Sequence, residues 1–289
     1  IIKSMQGINA VAHLGAIVGD PACEIDKDIS FDINTMATRM IAEAAKGFGV
    51  LHFVFASTCS VYGASDVLIT EKSMLNPVSM YAKTKIASEK VLLFLSDTNF
   101  KPIIMRFATI YGMSYRPRFD LVVNTLAAKA YFEKKINIFG GDQWRPFLHV
   151  DDVSEAIVKC LKSTQNNIDG QVLNIGASDQ NYQLKDIGKI VKEVIPNVEV
   201  ITLDKDVDKR NYRVSFDNIR NILDFTNTKT IKDGINEIVN ALNNGVLHED
   251  YTSNRFNNYR FLSNENYLNR YRLTKLSKDM LEEESYEIL

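Results

Sequence analysis

A tyrosine and a lysine four residues apart, Tyr81 and Lys85, most strongly constrain how this chain folds. They follow Pro77 and open a helix-favouring run that ends near Ser96. Positions four apart share one face of a helix, so the phenol and the ammonium are predicted to lie side by side. A cation near a phenol favours its ionised form, which makes Tyr81 a candidate acid/base. The alternative is an ordinary pair on a solvated helix face.

The segment upstream of this helix favours the chemical interpretation. Residues 53–56 are apolar and predict a buried strand, and a cluster of hydroxyl side chains follows at residues 57–62. Parallel strands place their ligand-binding residues just past their carboxyl ends. We therefore expect Thr58 to face the Tyr81 hydroxyl across a substrate.

Two motifs together resemble a known family. Residues 57–63 read Ser-Thr-x-x-Val-Tyr-Gly, and residues 77–85 read Pro-x-Ser-x-Tyr-x-x-x-Lys. This combination resembles the extended short-chain dehydrogenase/reductases, the NAD-dependent epimerase/dehydratase family that acts on nucleotide sugars. The resemblance covers residues 10–245. It implies an α/β fold, a Rossmann-like doubly wound parallel sheet with a smaller α/β substrate-binding lobe.

The resemblance also implies roles for individual residues. Tyr81 is the catalytic acid/base, Lys85 lowers its pKa and holds the nicotinamide ribose, and Thr58 hydrogen-bonds the sugar oxygen being oxidised. The implied cofactor is NAD, with NADP as the alternative. Besides Tyr81 and Lys85, its implied contacts are Leu14, Gly15, Ala16, Asn34 and Ser57. From the residues alone, Gly15 also suits a tight strand exit and Asn34 a helix cap.

The glycine-rich fingerprint of a dinucleotide-binding fold is missing from the sequence. Neither G-x-G-x-x-G nor G-x-x-G-x-x-G occurs, and the first predicted strand spans residues 10–16. Relative to the family pattern, two βα units of about 30 residues each are absent. The intact catalytic motifs favour a fragment, which alone should bind NAD(H) weakly. The rival is a non-catalytic nucleotide-sugar-binding or regulatory module that has lost half its cofactor site.

The pattern divides the chain into three parts. Residues 1–112 alternate strands and helices and are predicted to form the truncated cofactor-binding and catalytic domain. Residues 113–247 are expected to form mainly the substrate-binding lobe, with strands returning to the core. Residues 248–289 are rich in Asn, Tyr and charge, which suggests an arm that packs on this subunit or a partner. We expect a homodimer.

Arginines recur where the resemblance implies binding of a nucleotide-diphosphate sugar, which needs fixed bidentate donors. Arg145 is the implied diphosphate ligand, and either Arg210 or Arg213 closes over it. The full implied substrate-binding set is Thr58, Thr109, Arg116, Arg118, Asn124, Arg145, Arg210 and Arg213. Trp144 is expected to be a packing anchor rather than a base-stacking residue, and Asp152 is predicted to cap a helix over residues 153–161.

The two residues after Thr58 bear on the type of reaction. The 4,6-dehydratases of the family carry an Asp-Glu pair here, one acid and one base for eliminating water. This chain has Cys59 and Ser60, which do not replace that pair at neutral pH. The sequence therefore argues against a dehydratase. A tuned Cys59 acid/base and a small buried thiol are both compatible with the residues.

Composition excludes several other classes of protein. The chain has 289 residues, a formal net charge of −2 and no basic block, which argues against nucleic-acid binding. No run of apolar residues predicts a membrane span, and no Cys/His spacing predicts a metal site. The three cysteines and the absence of a secretory leader predict a reducing, cytoplasmic environment.

These observations lead to one functional hypothesis and two rivals. The first is an NAD(P)-dependent nucleotide-sugar epimerase, similar to UDP-glucose 4-epimerase, that oxidises a sugar hydroxyl to a transient ketone and reduces it again. A ketoreductase of the same family uses the same residues. The rival from another class is the non-catalytic binding module.

Overall fold

A four-stranded parallel sheet organises the chain in a computed structural model that describes residues 2–163, 168–203, 210–247 and 250–264. Most of the predicted C-terminal arm lies outside the described residues. In chain order, the strands are β1 (Ala10–His13), β2 (His52–Thr58), β3 (Ala64–Ile69), β4 (Ile103–Phe107), β5 (Thr109–Tyr111), β6 (Lys135–Phe139), β7 (Trp144–His149), β8 (Val172–Ile175), β9 (Asn181–Gln183), β10 (Glu199–Leu203) and β11 (Asn211–Val214).

Helices cover and connect these strands. They are α1 (Asp20–Glu24), α2 (Lys27–Phe31), α3 (Ala37–Gly47), α4 (Met80–Leu95), α5 (Val122–Glu133), α6 (Val150–Lys162), α7 (Leu184–Val194), α8 (Asp217–Leu223), α9 (Ile231–Asn243) and α10 (Asn258–Leu262). A π-helical turn, Asp32–Met36, joins α2 to α3. Among the described residues, no helix combines the length and apolar character needed to cross a membrane.

The main sheet has the strand order β1-β2-β4-β8, with every neighbouring pair parallel. Its strands therefore end at the same edge, where Thr58 and Phe107 are paired in register. Three smaller sheets pair β3 with β11, β6 with β10, and β7 with β5 and β9. This architecture confirms the predicted α/β class with parallel strands.

Four apolar cores are found among the described residues, and the two largest divide the chain. Val54 and Met105 of the main sheet are fully buried in the first, together with residues of α6 and β11. The second core lies among α5, α7 and α9 and includes Ala127, Ile187 and Ile235. The division between the two cores is consistent with a catalytic part and a smaller lobe, although the proposed boundaries at residues 112 and 247 stay predictions.

The helix that carries Tyr81 begins where its sequence dictates. Ser79 is the N-cap, and its Oγ accepts a hydrogen bond from the backbone N–H of Ala82, which stabilises the first turn. The helix ends at Leu95, as the sequence predicted. Its buried face includes Ala82, Lys85 and Leu92.

Two local predictions were wrong. The strand predicted over residues 10–16 ends at His13 and is partly exposed, because it lies at the edge of the described main sheet. Asp152 is not a helix cap, since α6 begins at Val150 with His149 as its N-cap. The Asp152 carboxylate instead accepts hydrogen bonds from the backbone N–H groups of Thr228 and Lys229.

Candidate active site

A cavity of about 280 Å³ opens at the carboxyl ends of the parallel strands. Both apolar and polar side chains line it, including Tyr81, Lys85 and Thr58. The remaining lining residues are Leu14, Val18, Gly19, Asp20, Ala56, Ser57, Ser60, Phe107, Ala108, Thr109, Ile110, Arg118, Leu121, Val153, Ile157, Arg210 and Tyr212. Because β1, β2 and β4 run parallel, segments far apart in sequence meet here.

Tyr81 lies in the first turn of α4 and meets the end of β2. Burial raises the pKa of its phenol above the ordinary value. The Arg118 cation opposes this rise, as does a hydrogen bond with the Thr58 side chain. The Thr58 Oγ1 also accepts from the backbone N–H of Ser60, 3.1 Å away, which fixes the side chain. A phenol and a hydroxyl thus converge on one point of the cavity.

Lys85 lies one turn after Tyr81, but its contact differs from the expected one. Its Nζ donates a hydrogen bond to the Ala56 carbonyl oxygen, 2.7 Å away, and lies 6.0 Å from the Tyr81 ring centroid. Burial lowers the pKa of Lys85 to about 8. The cation with the largest effect on the pKa of Tyr81 is Arg118, and the expected effect of Lys85 on that pKa stays a prediction.

The loop after β1 forms one wall of the cavity. Leu14 lines it and is 50% exposed, whereas Gly15, which is exposed, and Ala16, which is partly buried, follow in the loop and do not line the cavity. A Cβ at Gly15 would come only as close as 3.8 Å to His13, so the space beside it is open. The His13 imidazole lies 2.9 Å from Thr38 Oγ1, and burial lowers the pKa of His13 to about 4. This wall is therefore uncharged and accessible to a ligand.

Asn34 positions this loop and does not line the cavity. It is buried within the π-helical turn, a type of irregularity that is frequent at functional sites. Its amide bonds both the backbone N–H and the carbonyl of Ile17, at 2.7 and 3.0 Å. The same Nδ2 lies 3.0 Å from Thr84 Oγ1 on α4. Asn34 thus joins the wall after β1 to the helix of Tyr81.

A buried polar network supports the end of β2 from behind. Ser57 lines the cavity, but its hydroxyl donates to Glu89 of α4. Glu89 is paired with Arg106 through two hydrogen bonds, at 3.0 and 2.6 Å, and both side chains are buried. Arg106 also donates to the Tyr62 hydroxyl, 2.9 Å away. The Ser57 hydroxyl is therefore held by the Glu89 carboxylate.

Three of the predicted substrate residues beyond Thr58 reach the cavity. Thr109, Arg118 and Arg210 all line it. Arg118 binds Asp120 through two hydrogen bonds, at 2.9 and 3.0 Å, which fixes its guanidinium. Between the two alternatives left open by the sequence, Arg210 reaches the cavity, whereas the guanidinium carbon of Arg213 lies 5.3 Å from the centroid of the Trp144 ring.

The other predicted substrate residues lie outside this cavity. Arg116 is exposed and donates to Asn258, 2.9 Å away. Asn124 is buried and bonds the backbone of Gly112 and Arg118, so it shapes the turn that carries Arg118. Arg145 is buried, donates to the Trp144 carbonyl and lies 5.7 Å from the Tyr212 ring centroid.

Cys59 packs behind the strand. Its thiol donates to the Arg106 carbonyl oxygen at 3.2 Å, and burial raises the pKa of the thiol far above its usual range. A neutral, buried thiol is a poor acid/base at neutral pH. Ser60 lines the cavity, and a hydrogen bond joins it to Tyr212. No carboxylate stands at these two positions.

Several lining residues were not predicted from the sequence, and Asp20 and Tyr212 are the two whose polar side chains matter most to the site. Asp20 begins α1 and lines the cavity, and Tyr212 of β11 covers it from the other part of the chain. The only signal for Asp20 was its place just after Val18 and Gly19, in the loop that follows a parallel strand. Nothing in the local sequence marks Tyr212, because its contact with the site depends on how β11 pairs with β3.

Within the described residues, one group has the ligand types of a metal site. His149, Asp151 and Glu237 bring their ligand atoms within 4.8 Å of one another. However, the His149 Nδ1 accepts from the backbone N–H of Asp151, and Nε2 lies 2.7 Å from Glu237. Lys229 also bonds Glu237, at 3.2 Å. The group is satisfied as a hydrogen-bonded cluster, and we assign it no metal.

The cavity fits the nicotinamide half of a dinucleotide. Leu14 of the loop after β1, the buried amine of Lys85 and the Tyr81 phenol line the same space. Lys85 and Tyr81 have the donors that ribose hydroxyls require.

Comparison with known proteins agrees with this geometry. The model of the NAD dependent epimerase/dehydratase family matches residues 1–176. The chain is 27% identical over 240 residues to uncharacterized UDP-glucose epimerase YtcB of Bacillus subtilis (strain 168), covering 81% of this chain and 74% of that protein. It is 30% identical over 197 residues to UDP-glucuronate 4-epimerase of Thermodesulfobacterium geofontis (strain OPF15), covering 67% and 59% respectively.

A solved structure and a dehydratase also match. UDP-glucuronic acid 4-epimerase from Bacillus cereus, in complex with UDP-glucuronic acid and NAD, aligns at a TM-score of 0.74 with 27% identity, covering 84% of this chain and 78% of that one. Human dTDP-D-glucose 4,6-dehydratase is 31% identical over 166 residues, covering 56% of this chain and 45% of the dehydratase. The chain belongs to the NAD-dependent epimerase/dehydratase family, whose cofactor is NAD.

Proposed function

We propose that this protein is a nucleotide-sugar 4-epimerase acting on a UDP-linked hexose or hexuronate. The observation that carries the proposal is the pairing of Tyr81 and Thr58 at the cavity without an acidic pair beside them. Water elimination needs a second acid and base, whereas epimerisation at one carbon needs a single proton-transfer group. The names of the relatives support the UDP-sugar class.

Tyr81 acts on the sugar hydroxyl that is oxidised. In its phenolate form, which the Arg118 cation favours, Tyr81 accepts the hydroxyl proton as the ketone forms and returns it when the ketone is reduced, so no net proton is released. Thr58 hydrogen-bonds the same oxygen and stabilises the charge that develops on it. NAD, when bound, supplies the oxidising and then the reducing equivalent.

The rest of the cavity suits a keto-sugar intermediate that must rotate between oxidation and reduction. Phe107, Ala108, Ile110 and Leu121 form an apolar wall that makes few polar contacts with a sugar and excludes water. Arg118 and Arg210 supply fixed positive charge for the diphosphate, so the nucleotide end stays bound while the sugar rotates.

The test is product analysis by NMR of the native polypeptide incubated with NAD and either UDP-glucose or UDP-glucuronate. We expect a mixture of C4 epimers and no net NADH. Formation of a deoxy-keto sugar would identify a dehydratase instead. Stoichiometric consumption of NAD(P)H with a keto sugar would identify the ketoreductase, which the same residues serve. Binding of UDP-sugar with no turnover would identify the binding module.

A further inference from the structure

Asp20 connects two functional segments that are far apart in the chain. It is the first residue of α1 and lines the cavity, with 24% of its side chain exposed. Its Oδ1 accepts a hydrogen bond from Ser79 Oγ, 2.8 Å away. Ser79 is the N-cap of α4, two residues before Tyr81. One oxygen of Asp20 is thus fixed to the start of the helix that carries the acid/base.

The second carboxylate oxygen faces the other side of the cavity. Asp20 Oδ2 lies 3.3 Å from Nη1 of Arg210, which lines the cavity just before β11. Both side chains are about a quarter exposed, at 28% for Arg210 and 24% for Asp20. Pairs with this exposure contribute little to stability, so the consequence of the contact is where it places the guanidinium.

We propose that Asp20 is a positioning residue that holds Arg210 over the cavity to bind the diphosphate of the substrate. This inference rests on the proposed function, which supplies the diphosphate. A guanidinium has five N–H donors in a planar fork, so binding Asp20 through Nη1 is compatible with a second acceptor. An arginine that is already positioned loses less side-chain freedom when the ligand binds.

The same geometry allows a competing account. If Asp20 and the diphosphate exclude one another, then Asp20 weakens substrate binding and its removal strengthens it. The anchor on Ser79 favours the positioning role, because it fixes the carboxylate at the cavity margin with one oxygen turned to Arg210. The two accounts predict opposite changes in affinity.

The test is isothermal titration of the native polypeptide with UDP, which carries the diphosphate without the sugar. We expect Asp20→Asn to weaken UDP binding about 5-fold, and Arg210→Leu to weaken it at least as much. The double variant should bind no more weakly than Arg210→Leu, because both changes remove one interaction. With the nucleotide sugar, Asp20→Asn should raise KM by the same factor and change kcat less.

Two further variants separate positioning from general damage. Glu24→Gln is the matched control: Glu24 lies on the same helix and accepts from the Met80 N–H at the start of α4, at 3.3 Å, yet does not line the cavity. It should bind UDP within 2-fold of wild type. Asp20→Glu keeps the charge and should recover part of the lost affinity, which also serves as the readout if Asp20→Asn does not fold.

Unchanged or tighter UDP binding by Asp20→Asn, or additive losses in the double variant, would overturn the proposal. If the wild type bound UDP and only the variants gave these contrary results, the proposed function would stand and the role of Asp20 would be wrong. If the wild type did not bind UDP, the proposed substrate class and this inference would both be wrong.

Discussion

The Lys85 ammonium donates a hydrogen bond to the Ala56 carbonyl, 2.7 Å away, from a side chain that is almost completely buried. The contact joins the helix of Tyr81 to β2 just before Thr58. Burial nevertheless disfavours the ammonium, and the pKa of Lys85 is lowered to about 8. Lys85 is therefore charged at neutral pH in an environment that destabilises its charge.

Replacing this lysine should stabilise the protein without its ligands. A fall in pKa from 10.5 to about 8 corresponds to about 3 kcal/mol of unfavourable free energy for the charged form. Lys85→Met should accordingly raise the free energy of unfolding by up to about 3 kcal/mol at pH 7, minus the lost hydrogen bond. Urea denaturation measures this change, and NAD binding should weaken in the same variant.

The sign of the pH dependence follows from the lowered pKa. Between pH 8 and pH 10.5 the unfolded chain binds more protons at this position than the folded one, so wild-type stability rises with pH. The advantage of Lys85→Met should shrink across this window. Lys83→Met, on the exposed face of the same helix, is the control and should show no such trend. A Lys85→Met variant less stable than wild type at pH 7 would show that the buried ammonium does not destabilise the folded protein.

Arg118 should control the pH at which the enzyme becomes active. Its cation opposes the burial, Cys23 and Asp20 effects that raise the pKa of Tyr81. Arg118→Leu should raise that pKa further and move the acidic limb of the kcat/KM profile to higher pH, so activity at pH 7 falls. Arg116→Leu, in the same loop but outside the cavity, should leave the limb in place. Equal profiles for both variants would show that Arg118 does not act on Tyr81.

The ion pair behind β2 should be important for stability. Arg106→Met leaves the buried Glu89 carboxylate without its cation, and we expect a loss of about 3 to 5 kcal/mol in unfolding free energy. Breaking the partly exposed Lys46–Asp97 pair with Lys46→Met should cost less, about 1 kcal/mol. Thermal or chemical denaturation compares the two. Similar losses would mean that the buried network is solvated.

Local sequence patterns predicted those parts of the site that depend on a single element. Helical spacing placed Tyr81 and Lys85 one turn apart, and the strand ending at Thr58 brought its hydroxyl to the same edge. The class of fold followed from alternating strands and helices. These features need only local periodicity and the geometry of parallel strands.

Features that depend on contacts between distant segments were not predictable. Arg210 lies just before β11 and Arg213 lies within it. The pairing of this strand with β3 decides which of the two arginines reaches the cavity. The Asp20 carboxylate is held by contacts with Ser79 and Arg210, and neither residue is near Asp20 in sequence. Arg145 matches a motif, yet its neighbours Trp144 and Tyr212 place it outside the described cavity.

We propose that the Tyr81 phenol transfers the proton of the sugar hydroxyl. The most direct measurement is turnover of UDP-sugar by Tyr81→Phe, followed by NMR alongside titration with UDP. We expect turnover to fall at least about 100-fold, the scale for losing a positioned acid/base, with UDP affinity nearly unchanged because the ring remains. Turnover within a few-fold of wild type, at the same UDP affinity, would contradict it.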